Sequence, residues 1–144
     1  MRAAFAAAGF TPVFEIFAVR PGKPTWFSRS GSTLVLGLPG NPASAFVCAN
    51  LFLAPLLGRA WTTRTLNGVL ASPISANGPR EHFMRARAEL SDNGQLMVDP
   101  APSQDSSLLR PFLSSNVLLR RLPKAHSAEA GAVVEVVPIG PIAP

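Results

Sequence analysis

Four cations in two short stretches carry most of the chemistry that can be read from this chain. In RPGKP (residues 20–24), Arg20 and Lys23 stand on either side of a proline–glycine turn, so both charges can converge on one anion. A planar guanidinium fork beside a compact ammonium suits phosphate or another oxyanion. Pro21 and Pro24 reduce the entropy lost when such a loop is ordered. The other two cations, Arg80 and Arg85, lie in GPREHFMRARAEL (residues 78–90). Arg85 and Arg87 share a strand face there and can reach an anion, or can pair with Glu81 and Glu89.

A second stretch, LGLPGNPAS (residues 36–44), reads as strand, turn and helix start. Gly40 lets backbone come close to a ligand, and Asn41 and Ser44 can donate hydrogen bonds. Asn41 is a good N-cap, with Pro42 at the first helical position. A helix N-terminus offers unpaired N–H groups and the positive end of the helix dipole, which also suits an oxyanion. A well-capped structural helix would carry the same letters, and the stretch is neither GxxxxGK[ST] nor GxGxxG. Ser106, in QDSS, is a further candidate, or a helix cap beside Asp105.

Other chemistries find little support. His82 and His126 have no cysteine or carboxylate at metal-ligand spacing, so no metal ligand is assigned. Cys48, inside the apolar AFVCANLFL, reads as a buried thiol, and a lone cysteine fits a reducing compartment. The net charge is +5, with Arg120-Arg121 as the only adjacent basic pair, so no nucleic-acid groove is expected. The cations outnumber the acids five to one before Thr63 and only eight to seven from there on, which makes the first part the better anion receiver. The apolar run over residues 43–57 is short for a bilayer span and contains Asn50 and Pro55. MRAAFAAAG lacks the apolar core of a leader and reads as a helix stopped at Gly9.

The elements that must position these residues fall into two parts, with a boundary between residues 58 and 64. Before it, residues 3–8 read as helix, 13–19 as one strand, and TWF and TLVLGL as two more, separated by a SRSGS turn. TLVLGL does not alternate, which predicts a strand covered on both faces. Residues 41–57 read as a helix with an apolar stripe of Ala45, Cys48, Ala49 and Phe52. After the boundary come short strands at 65–71, 83–90, 95–100, 117–122 and 133–138, with a DNG turn between the second and third. Residues 106–113 read as one or two helical turns. Five short strands with one brief helix predict a small barrel or half-barrel.

In this order, RPGKPTWF, LGLPGNPASAFV, GPREHFMRA, QDSS and AGAVVEV resemble the C-terminal part of the molybdopterin molybdenumtransferases, the MoeA and gephyrin E-domain family. The resemblance runs over nearly the whole chain. It implies an α/β part followed by an all-β part: residues 1–62 as the C-terminal half of a three-layer α/β/α molybdopterin-binding domain, and residues 63–144 as a small C-terminal β-barrel. The implied reaction is insertion of molybdate into adenylylated molybdopterin with release of AMP, assisted by Mg²⁺. By the same resemblance Lys23, Arg20 and Ser106 act in catalysis. Pro24, Gly40, Asn41, Pro42, Ser44 and one of Arg80 and Arg85 hold substrate.

The family also implies a cytoplasmic homodimer that works with the molybdopterin adenylyltransferase, without nucleic acid or membrane. Ile16 stands where the family usually carries a basic residue. The glycine- and aspartate-rich motif that supplies the cation's acidic ligands is not in these 144 residues. The Mg²⁺ ligands are therefore expected elsewhere, with this chain holding part of the active site. Half an α/β sheet would expose apolar edges and favour association. The alternatives are a gephyrin-type scaffold module without catalysis and an inactive remnant.

Overall fold

The computed structural model describes residues 2–15, 17–58, 64–105 and 113–142. Its first part holds helix α1 (Arg2–Ala7) and strands β1 (Thr11–Phe14), β2 (Val19–Arg20), β3 (Trp26–Ser30) and β4 (Thr33–Gly37). Helix α2 (Pro42–Cys48) continues through a π-helical turn (Ala49–Leu53) into a last helical turn, α3 (Ala54–Leu56). The second part holds β5 (Leu66–Leu70), β6 (Glu81–Leu90), β7 (Leu96–Pro100), β8 (Val117–Arg121) and β9 (Val133–Pro138).

The second part closes on itself. Strands pair in the order β6, β7, β5, β9, β8, and β8 pairs back onto β6, giving a closed barrel of five strands. The long β6 makes closure possible. Its first half pairs with β8 and its second half with β7, and Ala86 faces both Val117 and Pro100. Leu70, Ala86, Ala88, Val98, Val117, Leu119 and Val136 fill the interior and are nearly or wholly inaccessible. Alanines at 86 and 88 leave room for the leucines opposite. At Gly68 an added Cβ would stand 2.5 Å from Val98 Cγ2, so only glycine lets β5 approach that closely. The Asn116 side chain bonds both Ala88 N and Ala88 O, at 2.7 and 2.8 Å, and staples β6 to the start of β8.

The first part is more loosely built. Strands β1, β3 and β4 form an antiparallel three-stranded sheet. Ser30 pairs directly with Thr33, so Gly31 and Ser32 alone make the turn, with Gly31 at φ +56. The sheet meets the helix through Phe14, whose ring lies 5.8 Å from Phe27 and 6.2 Å from Phe52. On the other side α2 lies on the outer face of the barrel, where Val19, Val47, Phe83, Leu118 and Val137 bury one another.

Several expectations are corrected here. The described residues are mostly β, with a five-stranded barrel and few helices, and do not by themselves show the three-layer α/β/α part of which half was expected. Residues 33–37 are not covered on both faces, and Leu34 is half exposed. The missing alternation of TLVLGL reflects apolar residues left on an open face. Residues 13–19 are not one strand. β1 ends at Phe14, and Val19–Arg20 leaves this sheet to pair with the barrel. In SRSGS, the first three residues are strand. The buried stripe of α2 is Ala43, Ser44, Val47 and Cys48, rotated from the expected Ala45, Cys48, Ala49 and Phe52 because the helix packs against the RPGKP loop and the barrel's outer face. Ser106 and most of the predicted 106–113 helix lie outside the described residues.

Candidate functional site

The seam between the two parts opens into a cleft of about 600 Å³. Arg20, Pro21, Gly22, Lys23 and Pro24 line one wall, Ala43, Ser44 and Val47 of α2 another, and Arg80, His82, Phe83 and Arg85 a third. Gln104 and Asp105 complete it.

Strand β2 delivers the RPGKP loop. It adds in parallel to the N-terminal end of β6, with Val19 opposite Glu81 and Arg20 opposite His82. The Arg20–Pro21 peptide is cis, and Gly22 follows at φ +132. The loop then folds against the buried face of α2. Thr25 Oγ1 donates to Cys48 Sγ at 3.3 Å, and Thr25 N donates to Gly22 O at 2.9 Å. A Cβ on Gly22 would come within 2.7 Å of that sulfur. Burial, only partly opposed by the Thr25 hydroxyl, raises the Cys48 pKa, so it is a packed thiol.

The cations of the cleft divide by how they are held. Arg20, Lys23 and Arg80 are exposed and make no side-chain hydrogen bond or ion pair among the described residues. Arg85 is buried, and its Nη2 donates to the carbonyls of Ser103 and Asp105 at 3.2 and 2.9 Å. Gln104 fixes the same segment by bonding Arg85 N and Arg85 O, both at 2.9 Å. Burial lowers the Arg85 pKa and Asp105 partly restores it. Arg85 thus holds residues 103–105 against β6, while Arg80 has its charge free for a ligand.

Among the described lining residues Asp105 is the only carboxylate, facing four cations. His82 lies between them, 8% exposed. Burial first, then Arg20, Arg80, Arg85 and Arg121, pushes its pKa down to about 4, so the imidazole is neutral at pH 7. A neutral imidazole among cations can still donate one hydrogen bond and accept another.

The structure therefore brings Arg20, Lys23, Pro24, Ser44, Arg80 and Arg85 to one cleft. Gly40, Asn41 and Pro42 are not among its lining residues. Asn41 Oδ1 accepts from Ser44 N at 3.2 Å, so that oxygen caps α2. Nothing in the sequence alone marks His82 or Gln104 as a site residue. Only the β2–β6 register, invisible in the spacing of letters, shows that His82 stands beside Arg20. Among the described residues no three His, Cys, Asp or Glu side chains come together to hold a metal ion. A donor set of one carboxylate among four cations does not fit Mg²⁺.

A closed five-stranded barrel that takes an extra parallel strand and carries a basic cleft on its outer face defines the class of domain. The family profile of the MoeA C-terminal region (domain IV) matches residues 67–139. The chain belongs to this family. The molybdenum cofactor synthesis protein cinnamon of Drosophila melanogaster is 34% identical over 126 residues, covering 80% of this chain and 20% of that protein. The molybdopterin molybdenumtransferase of Synechococcus elongatus is 32% identical over 117 residues, covering 78% and 28%. The crystal structure of the molybdopterin biosynthesis MoeA protein of Pyrococcus horikoshii superposes with a TM-score of 0.72 at 22% identity, over 94% of this chain and 34% of that one. The chain thus spans about a third or less of each relative's length. Among the described residues no helix is long and apolar enough to cross a membrane.

Proposed function

We propose that the seam cleft is the oxyanion-holding part of a molybdenum-insertion site, in which molybdate enters adenylylated molybdopterin and AMP is released. The observation that carries this reading is the convergence of Arg20, Lys23 and Arg80, three cations without side-chain partners among the described residues, on one cleft of about 600 Å³. Three unpaired cations repel one another, and a dianion such as molybdate offsets that cost while collecting charge-assisted hydrogen bonds. Lys23 acts as a point charge and the guanidinium groups of Arg20 and Arg80 as forks, with the Ser44 hydroxyl and the neutral His82 ring as further partners. Arg85 positions residues 103–105, and Ser106, the next residue in the sequence, is the reacting-group candidate.

Because the cleft residues do not suit Mg²⁺, we place the cation's ligands outside this chain, in the larger share of the polypeptide that the relatives possess. A cytoplasmic homodimer that receives its substrate from the molybdopterin adenylyltransferase belongs to the same proposal and rests on the family alone. A scaffold role would not require the three cations to converge, which favours the catalytic reading.

Calorimetric titration with molybdate, tungstate and AMP tests the proposal. The expected result is saturable binding of the oxyanions, weakened roughly tenfold in Lys23→Ala by loss of one charge-assisted contact. No saturable binding, or Lys23→Ala behaving like the parent chain, overturns it.

A further inference from the structure

A second cavity, of about 400 Å³, lies on the other side of Arg20 and His82 from Lys23 and α2. Its floor includes a row of three residues on three adjacent strands. Arg20 on β2 pairs with His82 on β6, and His82 pairs with Arg121 on β8. Neighbouring strands lie about 4.8 Å apart, and directly opposed residues point to the same face, so the three side chains rise side by side. All three line this cavity, and none of its described lining residues is Asp or Glu.

Arg121 is the unusual member. It is 6% exposed, forms no ion pair among the described residues, and its Nε has no hydrogen-bond partner there. Its Nη2 donates to the carbonyls of His126 and, at 3.5 Å, Ser75. Its neighbour Arg120, by contrast, is paired with both Glu81 and Glu135. A buried guanidinium without a counter-charge is costly, and its burial lowers the Arg121 pKa. The wall opposite is well fixed. Asn77 Nδ2 donates to the carbonyls of Arg80 and Leu122, both at 2.8 Å, and to that of Arg121 at 3.2 Å, which ties residues 72–78 to the end of β8.

We propose that this cavity is a second anion subsite, taking a phosphate or phosphomonoester group against the Arg20–His82–Arg121 row. A tetrahedral anion supplies the counter-charge that Arg121 lacks and accepts from the Arg20 fork, while the His82 ring offers one more donor. The volume exceeds that of a bare phosphate, leaving room for the group esterified to it. The inference does not depend on molybdate being the ligand of the first cleft, although both sites share Arg20 and His82.

The test is an NMR titration of the full chain with inorganic phosphate and, separately, AMP, following the backbone amides of Ala76 and Gly78 and the His82 ring. Saturable shifts at Ala76 and Gly78 are expected. Ala76→Glu, on the exposed rim, should weaken them at least tenfold by placing a carboxylate in the cavity. Arg121→Met should do the same where it folds, and Ala76→Glu decides where it does not. Lys23→Ala, in the first cleft only, should leave the midpoint within twofold. Shifts that do not saturate, that survive Ala76→Glu, or that vanish equally in Lys23→Ala overturn the second subsite. The last of these outcomes would leave the first cleft intact.

Discussion

The barrel and the sheet-and-helix part solve the problem of burial differently. In the barrel every strand edge finds a partner, and Leu70, Val98, Val117, Leu119 and Val136 are almost completely enclosed. In the first part β1, β3 and β4 form an open sheet, and Val13, Leu34, Leu56 and Leu57 remain about half exposed or more. What fixes the first part is its attachment to the barrel: two residues of β2 on β6, and Val19 and Val47 against Phe83, Leu118 and Val137. The cleft lies at this attachment. The barrel is the firm wall that holds Arg85 and His82, and the docked loop brings Arg20 and Lys23 to it. The site's basicity comes from charges that neither part neutralises.

Removing core volume from the barrel should break this arrangement most severely. Leu119→Ala is expected to cost about 2–5 kcal/mol in urea unfolding, with probes in both parts lost together. Survival of the first part on its own would contradict its dependence on the barrel.

The next effect concerns acid. His82 holds its proton in the fold only near pH 4, against 6.5 for the ordinary residue. Below 6.5 the unfolded chain takes up a proton that the folded chain refuses. Stability is therefore complete above that pH and falls as the pH drops toward 4. Between pH 6.5 and 5 the loss should be about 1–2 kcal/mol, with the slope much reduced in His82→Gln. Identical slopes in the two chains would show that burial and the surrounding cations do not hold this ring neutral.

Gly22→Ala acts on the attachment alone. Its φ of +132 and the 2.7 Å approach to Cys48 Sγ predict a loss of about 1–2 kcal/mol together with weaker anion binding, while barrel amides keep their exchange protection. The smallest change is Arg87→Ala. The Arg87–Glu89 pair is more than half exposed, so stability should move by less than about 0.5 kcal/mol and binding not at all.

The barrel was the more legible part. Alternation in FMRARAEL and the apolar VLLRRL and VVEVVP runs mark strands that close on one another, because a barrel writes its inside and outside into period two. Its outer face is less clear: alternation puts Phe83 and Arg85 on the face away from the interior without saying what covers them, and both are buried under α2 and residues 103–105. In the first part TLVLGL misleads, since an open apolar face and a doubly covered strand have the same letters. The RPGKP loop carries its cations in plain view, whereas in LGLPGNPAS Ser44 reaches the cleft while Asn41 caps α2. The meeting of Arg20 and Lys23 with Arg80 depends on β2 joining β6, a pairing of two residues that leaves no periodic signal.

The central claim is that Lys23, from the docked loop, and Arg80, from the barrel's edge, hold one anion between them. A double-mutant cycle on molybdate affinity tests it most directly, using Lys23→Ala, Arg80→Ala and the pair. We predict that each single change weakens binding roughly tenfold and that the pair departs from additivity by about 1 kcal/mol or more. Molybdate affinity left unchanged by either substitution, or two losses that simply add, would contradict it.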